Sequence, residues 1–103
     1  MDNIYSVDKE VLNRQPEIRI GDRIFKIDDR LSVFIRMNEE LKNVEEMGEF
    51  VVILRNALGK KAADEIMDME LSYKVMERIA ILVLAAIQGI GEEDAMARFQ
   101  QKK

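Results

Sequence analysis

Residues 79–87 read IAILVLAAI, nine apolar residues with no charge or hydroxyl among them. At about 100° per residue such a run circles a helix completely, so no side of that helix can face water. Something must cover it all round: either neighbouring helices of the same chain do all the covering, or another protein covers part of it. The flanks predict where the helix begins and ends. Ser72 is a natural N-cap, and Leu71 just outside it can pack on Met76 one turn in. Gly89 then stops the helix after Gln88. The run is far shorter than the ~20 residues that cross a bilayer.

At 103 residues the chain is one domain with one modest core. Apolar residues make up 48% of it, enough for a globular fold and too many for a disordered one. The net charge of −4 argues against nucleic acid or an anionic membrane as partner, because both select clustered Lys and Arg. The chain has no Cys and no His. That removes thiol chemistry, disulfides, the commonest metal ligands and the most usual general base. Neither an enzyme nor a cofactor site is expected. MDNIYSVDKEV at the start lacks a basic stretch followed by an apolar one, so no secretory leader is expected and a cytoplasmic setting is the default.

Residues 1–16 are weakly patterned and closed off by Pro16, which reads as an arm; residues 17–103 read as a single domain. Within EIRIGDRIFKI (17–27), two β-prone runs flank Gly21-Asp22, a pair suited to a II′ hairpin turn. That register puts Ile18, Ile20, Phe25 and Ile27 on one face with Arg23. Glu17, Arg19, Lys26 and Ile24 take the other. A lone hairpin is marginal in water, so the apolar face must rest on helices. From Leu31 the period changes: Leu31, Phe34, Met37, Leu41, Val44 and Met47 form an amphipathic stripe, with Asp28 or Asp29 available as cap. Gly48 weakens or ends this helix. FVVIL (50–54) continues to Leu58 and stops at Gly59, predicted as a left-handed C′ residue. Ala62, Ala63, Ile66 and Met67 offer a short buried face. After Gly91 three acids open a last helix, where the dipole favours them, and Ala95, Met96 and Phe99 form an apolar patch. The expected fold is α+β, mostly α: a short N-terminal β-hairpin packed on a small bundle of four or five helices.

Paired acids at Asp28/Asp29, Glu39/Glu40, Glu45/Glu46 and Glu92/Glu93/Asp94 lie where caps, helix starts and wet faces want them, rather than in acid–base sites. Asp64, Glu65, Asp68 and Glu70 lack the alternation and the glycine of a calcium loop, so no metal site is expected. The seven methionines carry more information. Thioether chains fill cores, and they also suit surfaces that re-pack against varied apolar partners.

The stretch ALGKKAADEIMDMELSYKVMERIAILVLAAIQGIGEEDAMARFQ (57–100) resembles the tail assembly chaperones of siphovirus-type bacteriophages and prophages. The ordered features are a Leu-Gly before a short Ala-rich helix, a MELSY-like cap, a long apolar helix ending in AAIQG, and an acidic turn leading to RF. Upstream, a strand pair ending in FKIDD and a charged helix extend the resemblance to about 17–100. The resemblance implies a non-enzymatic role in the host bacterial cytoplasm: binding the helical tape measure protein, keeping it soluble, recruiting tail tube subunits, and leaving before the virion is mature. It implies a groove for that client, and Met76, Ile79, Val83, Ile87, Met96 and Phe99 are the candidate client-binding residues. A groove left empty also favours self-association into a homo-oligomer. Members of this family occur in a short form and a longer frameshifted form that reaches the major tail protein. Gln101-Lys102-Lys103 can be encoded with the slip-prone heptamer A-AAA-AAG, which would make this chain the short product. Other expectations consistent with the residues are a structural tail completion subunit and a different cytoplasmic chaperone or adaptor for a helical client.

Overall fold

The structure is a computed structural model that describes residues 3–101, so the part of the frameshift reading that falls on Lys102 and Lys103 lies outside the described residues. The fold is α+β and mostly α. In chain order come α1 (Lys9–Asn13), β1 (Glu17–Ile20), β2 (Arg23–Lys26) and α2 (Leu31–Leu41). One 3₁₀ turn (Glu46–Gly48) leads to α3 (Glu49–Leu58), α4 (Lys60–Asp68), α5 (Tyr73–Gln88) and α6 (Glu92–Gln101). The hairpin β1–β2 packs against the five-helix body α2–α6, and α1 lies in the N-terminal arm.

The hairpin has the expected register, with Ile18 opposite Phe25 and Ile20 opposite Arg23 across Gly21-Asp22. Gly21 takes φ +60°, which an L side chain resists and glycine accepts. Ile18, Phe25 and Ile27 are buried, Ile20 is half-buried, and Ile24 on the other face is exposed. The hairpin therefore lays one apolar face on the bundle, through β1 against α5.

The stripe predicted from Leu31 to Met47 is divided. Helix α2 ends at Leu41, so Val44 and Met47 lie beyond it, in the turn and the 3₁₀ segment. Val33 and Met37 are its buried positions, while Leu31 points to solvent. Neither aspartate caps α2 in the usual way. Arg30 is its N-cap residue, and the Asp28 carboxylate accepts from the Arg30 backbone N–H at 3.3 Å and from its guanidinium at 2.9 and 2.7 Å. The Asp28 N–H meanwhile donates to Ala57 O at 2.7 Å, tying the start of α2 to the end of α3.

Helix α3 is wrapped on several sides: Phe50, Val52, Ile53, Leu54 and Ala57 are all buried, with α2, α4 and α5 packed around it. Its Asn56 is the one buried polar residue among those described. Nδ2 donates to Val52 O at 2.8 Å and to Glu40 Oε1 at 3.3 Å, and Oδ1 accepts from Arg36 Nε at 2.7 Å. The amide is thus satisfied while it joins α3 to one side of α2, as a buried polar group must be.

Gly59 does end α3, but not as a left-handed C′ residue. Its φ of +91° and ψ of 160° lie in a region open essentially to glycine alone, and this single residue links α3 directly to α4. On α4, Ala63 and Ile66 are buried, whereas Met67 faces outward and leaves the predicted face. At α5 the predicted ends hold. Ser72 Oγ accepts from Val75 N–H at 3.3 Å, and Gly89 is left-handed at φ +67°, ψ 35°. Ile90 N–H then reaches Ala85 O at 3.0 Å, closing a Schellman turn that reverses the chain into α6.

Gly59→Ala should lower unfolding free energy by about 1–3 kcal/mol, because the cost is backbone strain and not collision. Nothing lies within 4 Å of a Cβ built at Gly59 or at Gly91, and only Gly59 has positive φ. Gly91→Ala should therefore leave stability nearly unchanged, and urea denaturation of the two variants compares them directly.

Candidate functional site

Helix α5 has apolar residues all the way round, and the fold covers most of it, leaving one side partly open at exposed Val75 and half-buried Leu82 and Ala86. Helix α3 packs along it, α6 returns across it after the Schellman turn, and β1 touches a further side. Met76, Ile79, Ala80, Ile81, Val83, Leu84 and Ala85 are buried; Leu82, Ala86 and Ile87 are half-buried against the same core.

Of the six residues expected to form a client groove, Met76, Ile79 and Val83 thus lie in the interior, with Val83 0% exposed. Phe99 joins them from α6 and is also buried, beside Ala95. Ile87 is half-buried, and Met96 alone of the six is open to solvent, at 38%. The six do not make a continuous surface in this conformation. The reason lies in α6: its short link to α5 presses Ala95 and Phe99 onto the helix that an open groove would have displayed.

Apolar surface is nevertheless abundant elsewhere. On the body Ile24, Leu31, Ile35, Met47, Met67, Tyr73, Val75 and Met96 are exposed, as are Ile4, Tyr5, Val7, Val11 and Leu12 in the arm. Leu31 (72%) and Ile35 (54%) stand one helical turn apart on the same side of α2. Among the described methionines Met37 and Met76 are buried, Met69 is half-buried, and Met47, Met67 and Met96 face out. The period of α2 signals an apolar face, but Leu31 reads the same in sequence whether it is covered or bare.

Two recesses flank α2. One, about 590 Å³, is lined by Asn38, Leu41, Lys42, Val44 and Glu49, at the corner between α2 and α3. Its half-buried Leu41 and Val44 are bordered by one positive and one negative side chain. The other, about 360 Å³, brings Lys26, Arg36 and Arg55 together with Asp28 and Asn56 at the far end of α3. The Arg36–Asn56–Glu40 set beside it was not singled out from sequence. Its only signal there is one amide beside Arg55 in the largely apolar run before Leu58, and an Arg and a Glu four residues apart on α2.

Two surface ion pairs join elements and three are local. Arg23 pairs with Glu65 at 2.7 Å, linking the hairpin to α4, and Arg78 pairs with Glu92 at 3.4 Å, linking α5 to α6. Lys60 holds Asp64 at 3.0 Å. Two of the acids weighed for calcium are therefore engaged by cations. Among the described residues no group of three or more acidic, His or Cys side chains converges as a metal site would require. Such exposed pairs contribute about 0–1 kcal/mol each. The hydrogen bond from the Arg30 guanidinium holds the Asp28 carboxyl below its ordinary value, and partial burial opposes that shift.

No known protein family, curated protein or solved structure matches this chain. No helix among the described residues is long and apolar enough to cross a membrane.

Two expectations follow from this placement. Ile79→Ala should cost about 2–5 kcal/mol of stability, as for other buried aliphatic truncations, while Met96→Ala should stay within about 0.5 kcal/mol. Thermal and urea unfolding of the pair measures the contrast. For Asp28 the folded pKa is depressed, so its stabilisation is present above the unfolded value near ~3.9 and is lost as pH falls through the lower folded one. Asp28→Asn should then give a shallower loss of stability between about pH 5 and pH 2 than the parent, followed by urea midpoints across that range.

Proposed function

We propose that this protein is a non-enzymatic binding protein of phage tail assembly, a chaperone for the tape measure protein. The observation that carries this reading is apolar side chains left outside a core that is already closed. Eight large ones are exposed on the hairpin and helices, three of them methionines. Scattered singly such residues are ordinary, but Leu31 and Ile35 form a helical pair, and thioethers adapt to partners whose apolar stripe varies along its length.

The client chemistry follows from that. A tape measure chain presents a long helical stripe before the tail tube encloses it. A short chaperone body with an exposed aliphatic ridge on α2 and pliable Met47, Met67 and Met96 can cover successive segments of such a stripe by transient contact. In this reading Ile87 and Met96 keep their proposed client role, and Leu31 and Ile35 are added to it. The buried Met76, Ile79, Val83 and Phe99 act by holding the body in shape. The resemblance of residues 17–100 to tail assembly chaperones supports the same assignment, with action in the host cytoplasm, recruitment of the major tail protein through a longer form, and departure before the virion is complete.

Co-expression with a tape measure protein from the same phage or prophage tests the proposal. The parent should raise the soluble fraction of the client. Leu31→Asp with Ile35→Asp should abolish that effect while circular dichroism stays unchanged, because both side chains are already exposed. If the folded double variant protects the client as well as the parent, the assignment fails. Detection of this chain in purified virions would instead favour a structural tail subunit.

A further inference from the structure

The recess of about 360 Å³ at the end of α3 gathers three cations from three elements: Lys26 from β2, Arg36 from α2 and Arg55 from α3. One acid, Asp28, lines it with them, and that acid is already engaged. Its two oxygens accept from the Arg30 guanidinium at 2.9 and 2.7 Å, and Arg30 is not part of the lining. None of the three lining cations has an ion pair among the described residues. Glu17 lies opposite Lys26 in the hairpin register without pairing with it, and Glu40 accepts from Asn56 at 3.3 Å; neither acid lines the recess. In a chain of net charge −4, this is a place where positive charge is left uncompensated.

How Arg36 is held matters most. Its Nε donates to Asn56 Oδ1 at 2.7 Å, and the buried Asn56 is fixed in turn, because its Nδ2 donates to Val52 O at 2.8 Å. A carboxylate in that place would have cancelled the arginine charge. The amide orients the guanidinium and leaves it charged, with its remaining N–H groups unengaged among the described residues. That charge is felt in the recess: the Asp28 carboxyl is held below its ordinary value mainly by the Arg30 hydrogen bond and to a small extent by Arg36. An arginine oriented before a ligand arrives lowers the ordering cost of binding. Helix ends do not decide the sign here. The C-terminus of α3 and the N-terminus of α4 meet at Gly59, in the wall of the recess, so their opposite partial charges largely offset.

We infer that this recess is a binding site for a small polyanion, a ligand whose phosphoryl or carboxylate groups are held among Arg36, Arg55 and Lys26. Arginine forks match the paired oxygens of carboxylate and phosphate, and lysine adds a point charge that suits either. Three cations select a ligand with two or three negative charges close together, as in a diphosphate or a tricarboxylate. The volume is at the small end of the usual range for ligand sites, roughly 300–1,000 Å³, so the recess admits a compact group. An arginine in the last turn of α3 also complements that helix end. This accounts for Arg55, but not for Lys26 or for the neutral tether on Arg36. The site does not depend on the client reading above, and its test uses no client.

Isothermal titration of the full-length protein with pyrophosphate and, separately, with citrate tests the site, at one fixed ionic strength so that screening stays constant. At least one of the two should bind saturably with a dissociation constant at or below about 1 mM, and the tighter one identifies the group the recess takes. Lys26→Gln and Arg55→Gln should each weaken that binding at least about fivefold. Circular dichroism should not change in either variant, since both side chains are exposed and make no hydrogen bond or ion pair among the described residues. Arg36→Gln should weaken binding at least as much, with thermal unfolding confirming that it is folded. Lys74→Gln removes the same charge from an exposed position on α5 and should leave the affinity within about twofold. Absence of saturable binding of either anion by about 20 mM overturns the inference. So does a loss with Lys74→Gln equal to that with Arg55→Gln, which would make the effect one of net charge, and so does binding indifferent to Lys26 and Arg55.

Discussion

The enclosure of α5 is the constraint on which the rest of the architecture depends. An apolar run that circles a helix has to be covered on most sides, and 103 residues leave few elements to do it. Helix α3 supplies one wall and must itself be apolar on several sides, which is why FVVIL is as dense as the run it covers. Helix α6 supplies another wall, and the hairpin touches a third side through β1. Sandwiching two central helices between short outer elements leaves those outer elements only partly buried. The exposed aliphatic side chains of α2 and the outward methionines follow from that shortage of cover.

Tight reversals make the arrangement reachable. Gly59 turns α3 into α4 with one residue, and Gly89 with the Ile90–Ala85 hydrogen bond turns α5 back into α6. Each reversal uses positive φ, which a side chain would resist. Where backbone turns do not suffice, polar contacts set the angle. Asn56 holds α3 to Arg36 and Glu40 of α2, and Asp28 N–H holds the start of α2 to Ala57. These contacts hold α2 against the end of α3.

A binding role fits a molecule organised this way better when its contacts are sought at the periphery than along its central helix. Burial of Met76, Ile79, Val83 and Phe99 moves the question from which residues of α5 touch a partner to what the outer elements do. The arm and the α2 ridge are separate apolar surfaces with different chemistry around them. The arm carries its own charges beside Val11 and Leu12, whereas Leu31 and Ile35 form an uncharged pair on a regular helix.

Local signals in the chain were enough to determine the hairpin register, the Ser72 cap, the left-handed stop at Gly89 and the need to cover residues 79–87. Each rests on short-range sterics or periodicity that neighbours do not alter. Burial face by face was not legible in the same way. Leu31 and Met67 sit in predicted apolar stripes yet face solvent, and α2 stops at Leu41 where its period would have carried on to Met47. Hydrophobic character says that a residue gains by being covered; only the packing of α3 and α6 decided which residues had a neighbour to cover them. Tertiary structure likewise placed the six groove candidates, because the return of α6 across α5 is a long-range fact that no local pattern encodes.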